Sequence, residues 1–141
     1  MKIKIKKLVP EAKIPNYAHL DDAGMDIYAL EDVVLGPNER VRVKTGIAME
    51  IPTGFVGLVW DKSGLSTNYG LKTLAGVIDA GYRGEVQIGL INLSGEAYTI
   101  KKQDKIAQIL IQKIEQPEIL EVRELSATPR GEGGFGSTGK E

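Results

Sequence analysis

Carboxylates, hydroxyls and cations are the side chains with which this 141-residue chain can do chemistry. It has no Cys and one His, which excludes disulfides, thiolate nucleophiles and Cys- or His-cluster metal sites. General acid–base work therefore falls mainly to Asp and Glu. Most of these sit in the charged half of alternating segments, where water solvates them. Two Asp residues differ. Asp26 lies among small and apolar neighbours in Ala23-Gly-Met-Asp26-Ile-Tyr-Ala29. Asp79 ends an apolar run and enters a tight turn in Gly76-Val-Ile-Asp79-Ala-Gly-Tyr82-Arg-Gly84. An Asp at a β-turn often satisfies local N–H groups; an ionised one can also hold and deprotonate a water. Lys62-Ser63-Gly64 follows the apolar run Phe55 to Trp60. A cation, a hydroxyl and a Gly at a strand-to-helix junction suit phosphate oxygens, and Ser63 equally suits a helix cap. His19 falls in a polar loop beside Asp21 and Asp22 and is read as solvated.

Residues 126–141 form a second polar cluster, with five glycines and one large apolar side chain, Phe135. Gly131-Glu-Gly133-Gly-Phe-Gly136 fits G-x-G-x-x-G, and Gly134 to Lys140 fits most of a Walker A pattern. Each pattern needs a strand before it and a helix after it. No residues follow Glu141 to form that helix, and Glu141 takes the Walker Ser/Thr position, so neither is expected to act as a nucleotide-binding loop of that kind. Clustered N–H groups, Ser137, Thr138, Arg130 and Lys140 remain as a phosphate cradle with one aromatic side chain. The segment is too poor in apolar residues to order itself. It reads as a frayed tail or as an arm that orders on a ligand or a neighbouring subunit.

The elements that must position these groups follow a period of two. Ile3 and Ile5, Val41 and Val43, and Val86, Ile88 and Leu90 alternate with polar residues, and Ile109 and Ile111 belong to a more buried run. Turn signals fall at Gly36-Pro37-Asn38, Pro52-Thr-Gly54, Ala80-Gly81 and Ser94-Gly95. Many short strands with Gly/Pro turns predict an all-β sandwich or jelly roll, with one short helix at Ser63 to Tyr69. The length supports one domain, and 42% hydrophobic with 26% charged residues is the balance of a soluble globule. Eighteen basic against nineteen acidic residues give no electrostatic reason to expect nucleic-acid binding. Apolar stretches fall far short of the roughly 20 residues of a membrane helix, and Met1 to Lys7 lacks the apolar region of a signal peptide. A cytoplasmic protein is expected, so the sequon at Asn92-Leu-Ser94 is discounted.

In order along the chain, Ala23-Gly-Met-Asp26, Lys62-Ser-Gly-Leu65, Gly76 to Gly84, Asp104-Lys-Ile-Ala-Gln108 and Arg130 to Gly139 resemble the five motifs of trimeric dUTPases (dUTP diphosphatases). Thr45-Gly46 and Pro52-x-Gly54 also match. The resemblance implies a distorted jelly-roll core over 1–125 and a flexible C-terminal arm over 126–141 that closes on a neighbouring subunit's site. It implies a homotrimer with shared active sites and the conversion of dUTP and water to dUMP and pyrophosphate. That reaction keeps uracil out of DNA and supplies dUMP for dTMP synthesis.

The same resemblance gives Asp79 the catalytic role, holding the water that attacks the α-phosphorus. Tyr82 packs on the deoxyribose and excludes a 2′-hydroxyl. The segment Thr73 to Gln87, with Val77 and Ile78, offers backbone groups to uracil. Lys62, Ser63, Gly64 and Gln108 take phosphate oxygens. Arg130, Gly136, Ser137 and Thr138 close over the γ-phosphate, and Phe135 stacks on the base. Asp26 supports these residues from behind. Mg²⁺ is held mainly by the triphosphate and waters rather than by a direct protein ligand.

Four positions depart from the family pattern. Lys62 stands for the usual Arg, Thr73 for an Asn that touches uracil, Gly81 for an Asp and Gln103 for a Gly. A related family of the same fold, the dCTP deaminases, places a catalytic Glu at the position of Gly89 here. Deamination, a non-catalytic nucleotide-binding trimer and a plain β-sandwich interaction module are the competing readings.

Overall fold

The computed structural model describes residues 1–134. Ten strands and one short helix follow one another as β1 (Lys4–Lys7), β2 (Met25–Tyr28), β3 (Val33–Leu35), β4 (Arg40–Glu50), β5 (Phe55–Trp60), α1 (Ser63–Tyr69), β6 (Leu71–Leu74), β7 (Val77–Ile78), β8 (Glu85–Asn92), β9 (Tyr98–Ile100) and β10 (Lys105–Lys113). They form two four-stranded sheets, ordered β1-β4-β8-β6 and β2-β10-β5-β7, and a two-stranded β3-β9 sheet. All pairings are antiparallel and neither large sheet closes into a barrel. The all-β jelly-roll expectation holds, and the helix covers the segment read from the sequence. Among the described residues no helix is long and apolar enough to cross a membrane.

Alternation decides the core. Val86, Ile88 and Leu90 of β8 and Val43, Ile47 and Met49 of β4 point inward from the first sheet. Met25 and Ile27 of β2, Val59 of β5 and Ala107 and Ile109 of β10 meet them from the second. Leu35 and Ile100 close the same core from the small sheet. Between Lys44 and Ala48 the β4–β8 register shifts. The shift falls at Gly46, whose φ of 70° and close neighbours Ala12, Leu30 and Val9 leave no place for a side chain.

A polar side chain is fully buried at the end of β8. Asn92 donates through Nδ2 to the carbonyls of Leu35 (3.1 Å) and Glu96 (2.7 Å). Its Oδ1 accepts from the Ser94 backbone N–H (2.9 Å) and hydroxyl (2.8 Å). All its polar atoms are satisfied, and it ties β8 to β3 and to the loop before β9. Truncating it leaves those buried groups unpaired, at roughly 1–3 kcal/mol for such a loss. Asn92→Ala is expected to destabilise the fold by about 2–3 kcal/mol, read by denaturant unfolding at fixed protein concentration.

Candidate active site

The first site element is the long hairpin between the paired strands β6 and β8, whose connection carries β7 and the turn at Asp79. Leu74 leads into Ala75 and Gly76, with φ of 60° and 114°. The Gly76 carbonyl accepts the Val59 N–H at 2.8 Å, and a Cβ at Gly76 would lie 2.9 Å from the Val59 carbonyl oxygen, so only glycine fits this bend. The turn from Asp79 to Tyr82 closes by a 3.0 Å bond from the Tyr82 N–H to the Asp79 carbonyl. The Tyr82 hydroxyl donates to the Glu85 carbonyl at 3.0 Å, laying the ring across Gly84, where any Cβ would collide with it. Arg83 donates to the carbonyls of Ala80 and Tyr82 and braces the turn. Asp79 is exposed, and among the described residues its carboxylate has no hydrogen-bond or ion-pair partner. It lines a depression of about 300 Å³ with Arg42, Val77, Ile78, Tyr82, Glu85 and Gln87. An adjoining one of about 430 Å³ reaches Leu74, Ala75, Gly76 and Gly89. Gln87 borders both and donates to Glu85 at 3.1 Å.

Gly81 faces open space, so the Asp of the family pattern would meet no neighbour there. At Gly89 a Cβ would stand 3.1 Å from the Leu74 carbonyl oxygen, which keeps β6 close and leaves no room for the deaminase Glu without a shift.

The second element is polar and centres on β10. Register sets Asp26 of β2 and Trp60 of β5 opposite Gln108, on one face of the sheet. A bulge between Lys105 and Ala107 then places Lys105 opposite Tyr28, on that same face. Without the extra residue Ile106 would take that place. Asp26 is buried, with 3% of its side chain exposed. Lys62 Nζ donates to its Oδ1 at 2.6 Å. Lys105 Nζ lies 2.7 Å from Oδ2, an ion pair whose angle is poor for a hydrogen bond. Burial opposes ionisation of Asp26, but the ammonium groups of Lys105 and Lys62 outweigh it and hold its carboxyl below the usual carboxylate range. The three side chains together carry one net positive charge.

Beside them runs a groove of about 410 Å³ lined by Ala23, Trp60, Asp61, Ser63, Ser66, Thr67, Gln108 and Leu110. Ser63 is exposed at the start of α1, Gly64 faces open space, and no side chain caps the helix, so the cap reading of Ser63 does not hold. Gln108 donates through Nε2 to the Asp61 carbonyl at 2.9 Å. Gly24 makes room for that amide, since a Cβ there would sit 2.5 Å from its Oε1.

The residues singled out in the sequence therefore fall into two groups on one chain. Val77, Ile78, Asp79, Tyr82 and Gln87 share the hairpin depressions. Ser63 and Gln108 share the groove, with Lys62 and Asp26 paired behind it. Thr73 joins neither: it is buried on β6, with its hydroxyl given to Asp61 at 2.7 Å. Arg130 lies exposed in the C-terminal segment and donates to the Gly133 carbonyl at 2.7 Å. Phe135, Gly136, Ser137 and Thr138 lie outside the described residues. Two site residues escaped the sequence reading, Lys105 and Asp61. The signal for Lys105 was a strand whose polar residues are three apart, a spacing that shares one face only across a bulge. Gln103, at the turn before β10, adopts φ 68°, a left-handed conformation that suits the Gly of the family pattern.

The Asp26 pairing fixes a sign for acid stability. A carboxyl whose pKa is lowered on folding contributes stability above its unfolded pKa, near 3.8, and loses it as pH falls through the folded value. Asp26→Asn is expected to cost about 1–3 kcal/mol at pH 7, less than a fully buried pair because both lysines are partly exposed. The loss should shrink as the pH drops below about 4. Unfolding curves of both proteins across that range measure it.

A model of the dUTPase family matches residues 10–139. The deoxyuridine 5′-triphosphate nucleotidohydrolase of Nautilia profundicola is 50% identical over 99% of this chain and 100% of its own length. That of Clostridium kluyveri is 48% identical over 99% of both chains. A mutant dUTPase of Staphylococcus bacteriophage 80alpha with dUpNHpp superposes with a TM-score of 0.92 at 35% identity, covering 98% of each chain. A mutant dUTPase of the S. aureus phage phi11, described for its coordination of a structural Mg(II) ion, gives 0.83 at 34% identity over 88% of this chain and 98% of its own. With the motifs in order, this fold and these likenesses, the chain belongs to the dUTPase family.

Proposed function

We propose that this protein hydrolyses dUTP to dUMP and pyrophosphate, with Asp79 as the general base. The observation that carries the mechanism is the exposed Asp79 carboxylate, unpartnered among the described residues, on a turn braced from three sides beside Tyr82. A water held by Asp79 attacks the α-phosphorus and gives up a proton to the carboxylate as the bond to the bridging oxygen breaks. Pyrophosphate leaves. The Tyr82 ring meets the sugar and excludes a 2′-hydroxyl. Backbone N–H and C=O groups from Ala75 to Ile78 read the uracil edge, which leaves no space for a thymine methyl. Ser63, Gly64 and Gln108 receive phosphate oxygens, drawn by the net positive charge of Lys62, Lys105 and Asp26.

Among the described residues no group of three or more His, Cys, Asp or Glu could cage a metal ion. This donor set fits Mg²⁺ held chiefly by the triphosphate oxygens and waters, and the ion, when bound, neutralises phosphate charge.

Where the two groups lie supports an assembly of several chains. Asp79 and the Ser63–Gln108 groove line separate depressions of one chain. After β10 the chain carries Ile119 and Leu120, 93% and 72% exposed, outside the core. Both features support a homotrimer in which one chain's hairpin faces another's groove and residues 126–141 of a chain close over the shared site. Arg130, Phe135, Gly136, Ser137 and Thr138 would then reach the bound nucleotide.

Asp79→Asn is expected to lower kcat by about 10²–10⁴-fold while dUTP binding persists. A variant that still turns over normally overturns the general-base role. Pyrophosphate release is expected from dUTP and not from dCTP, dTTP or UTP. Ammonia release from dCTP would favour the deaminase reading instead. Deleting residues 130–141 should reduce kcat/KM by roughly 10²-fold and leave the trimer intact by sedimentation.

A further inference from the structure

The strand that delivers the base-reading hairpin is an edge strand. Among the described residues β6 pairs with β8 on one side and with no strand on the other. At Thr73 the open edge is met by a side chain instead. Asp61, just past the end of β5, accepts the Thr73 backbone N–H and the Thr73 hydroxyl on one oxygen, both at 2.7 Å. Its other oxygen pairs with Lys72 at 2.8 Å. Its backbone carbonyl takes the Gln108 amide at 2.9 Å. Two residues earlier on β5, the Val59 N–H holds the Gly76 carbonyl. The segment 73–76 is thus fastened at both ends to β5, and its left-handed bend at Ala75 and Gly76 forms one wall of the hairpin depression.

We infer that Asp61 is a positioning residue for nucleobase recognition, acting through Thr73 to hold the 73–76 bend at the distance its backbone needs to read uracil. The inference rests on the dUTP reading and adds a residue to it. Thr73 then acts without touching the base: its hydroxyl is committed to Asp61. Burial opposes ionisation of Asp61, but Lys72 and the Thr73 N–H and hydroxyl keep its carboxyl below the usual range, so the fastening persists through neutral pH. A buried N–H and O–H with a common anionic acceptor are held more firmly than by a neutral one. Without that acceptor the edge strand keeps only its β8 bonds, and a displacement near 1 Å suffices to spoil backbone recognition.

The experiment measures kcat and KM for dUTP and dCTP, together with melting temperature, for the wild type and for Thr73→Ser, Thr73→Val, Asp61→Ala and the double variant Asp61→Ala/Thr73→Val. Thr73→Ser keeps the hydroxyl and should match the wild type within about twofold. Thr73→Val should raise KM for dUTP about 5–10-fold with kcat nearly unchanged. Asp61→Ala should raise it about 30-fold and narrow the dUTP-over-dCTP preference about tenfold, because both bonds are lost. The Asp61 carbonyl survives that change, so Gln108 keeps its contact. The double variant should be no worse than Asp61→Ala alone, the signature of two groups acting as one. Variants that melt lower yet keep the wild-type KM and preference would reduce Asp61 to a structural brace and overturn the inference. Fully additive effects would overturn it as well. Should Asp61→Ala not fold, the contrast between Thr73→Ser and Thr73→Val decides. A wild type inactive on dUTP would refute the functional reading itself, a result distinct from any of these.

Discussion

Strand β10 is hydrogen-bonded along both edges, to β2 and to β5, and the polar half of the site depends on its register. A strand fixed on both sides cannot slide without breaking two ladders at once. That rigidity lets a buried carboxylate sit between two ammonium groups from different parts of the chain. Asp26 arrives on β2, Lys62 follows β5, and Lys105 begins β10. The single bulged residue between Lys105 and Ala107 puts the second cation on the correct face. A charge so placed is useful for a polyanionic substrate because it stays put when the substrate arrives.

The hairpin works on a different principle. Its functional groups lie on a turn, where backbone freedom would be greatest, and the structure removes that freedom by local fastening. Tyr82 bonds to Glu85, Arg83 spans the turn, and the bend before it is held to β5. The result is an exposed carboxylate on a rigid support, the arrangement a general base requires. On the proposed reading of uracil by backbone groups, Thr73 in place of Asn leaves the site intact, because the burden lies on where the main chain runs.

Much of this was legible in the sequence. Period-two alternation marked β4, β8 and β10, and Gly/Pro signals marked the turns between them. The stretch Ser63 to Tyr69 read as helix and is one. The motif residues fixed the family, and the structure brings Asp79 together with Tyr82, and Ser63 together with Gln108. What escaped was whatever depends on register. The bulge shows in the sequence only as the three-residue spacing of Lys105 and Gln108, too slight a mark to assign Lys105 to the face of Asp26. Asp61 looked like one more solvated charge after an apolar run, because nothing local says that an edge strand will present an open N–H to it twelve residues on. The left-handed turn at Gln103 was hidden for a related reason, since a glycine would have announced it and a glutamine does not.

The burial of Asn92 bears on where such a chain can be made. Its Nδ2, the atom that an oligosaccharide transferase would modify in Asn92-Leu-Ser94, is the atom that donates to Leu35 and Glu96 inside the protein. Sugar attachment and folding compete for one nitrogen, and the first to act excludes the other. Synthesis in a compartment that glycosylates nascent chains would trap the protein before its sheets could close. The sequon is therefore harmless only where no such machinery meets the unfolded chain, and the fold itself carries a constraint on its cellular route.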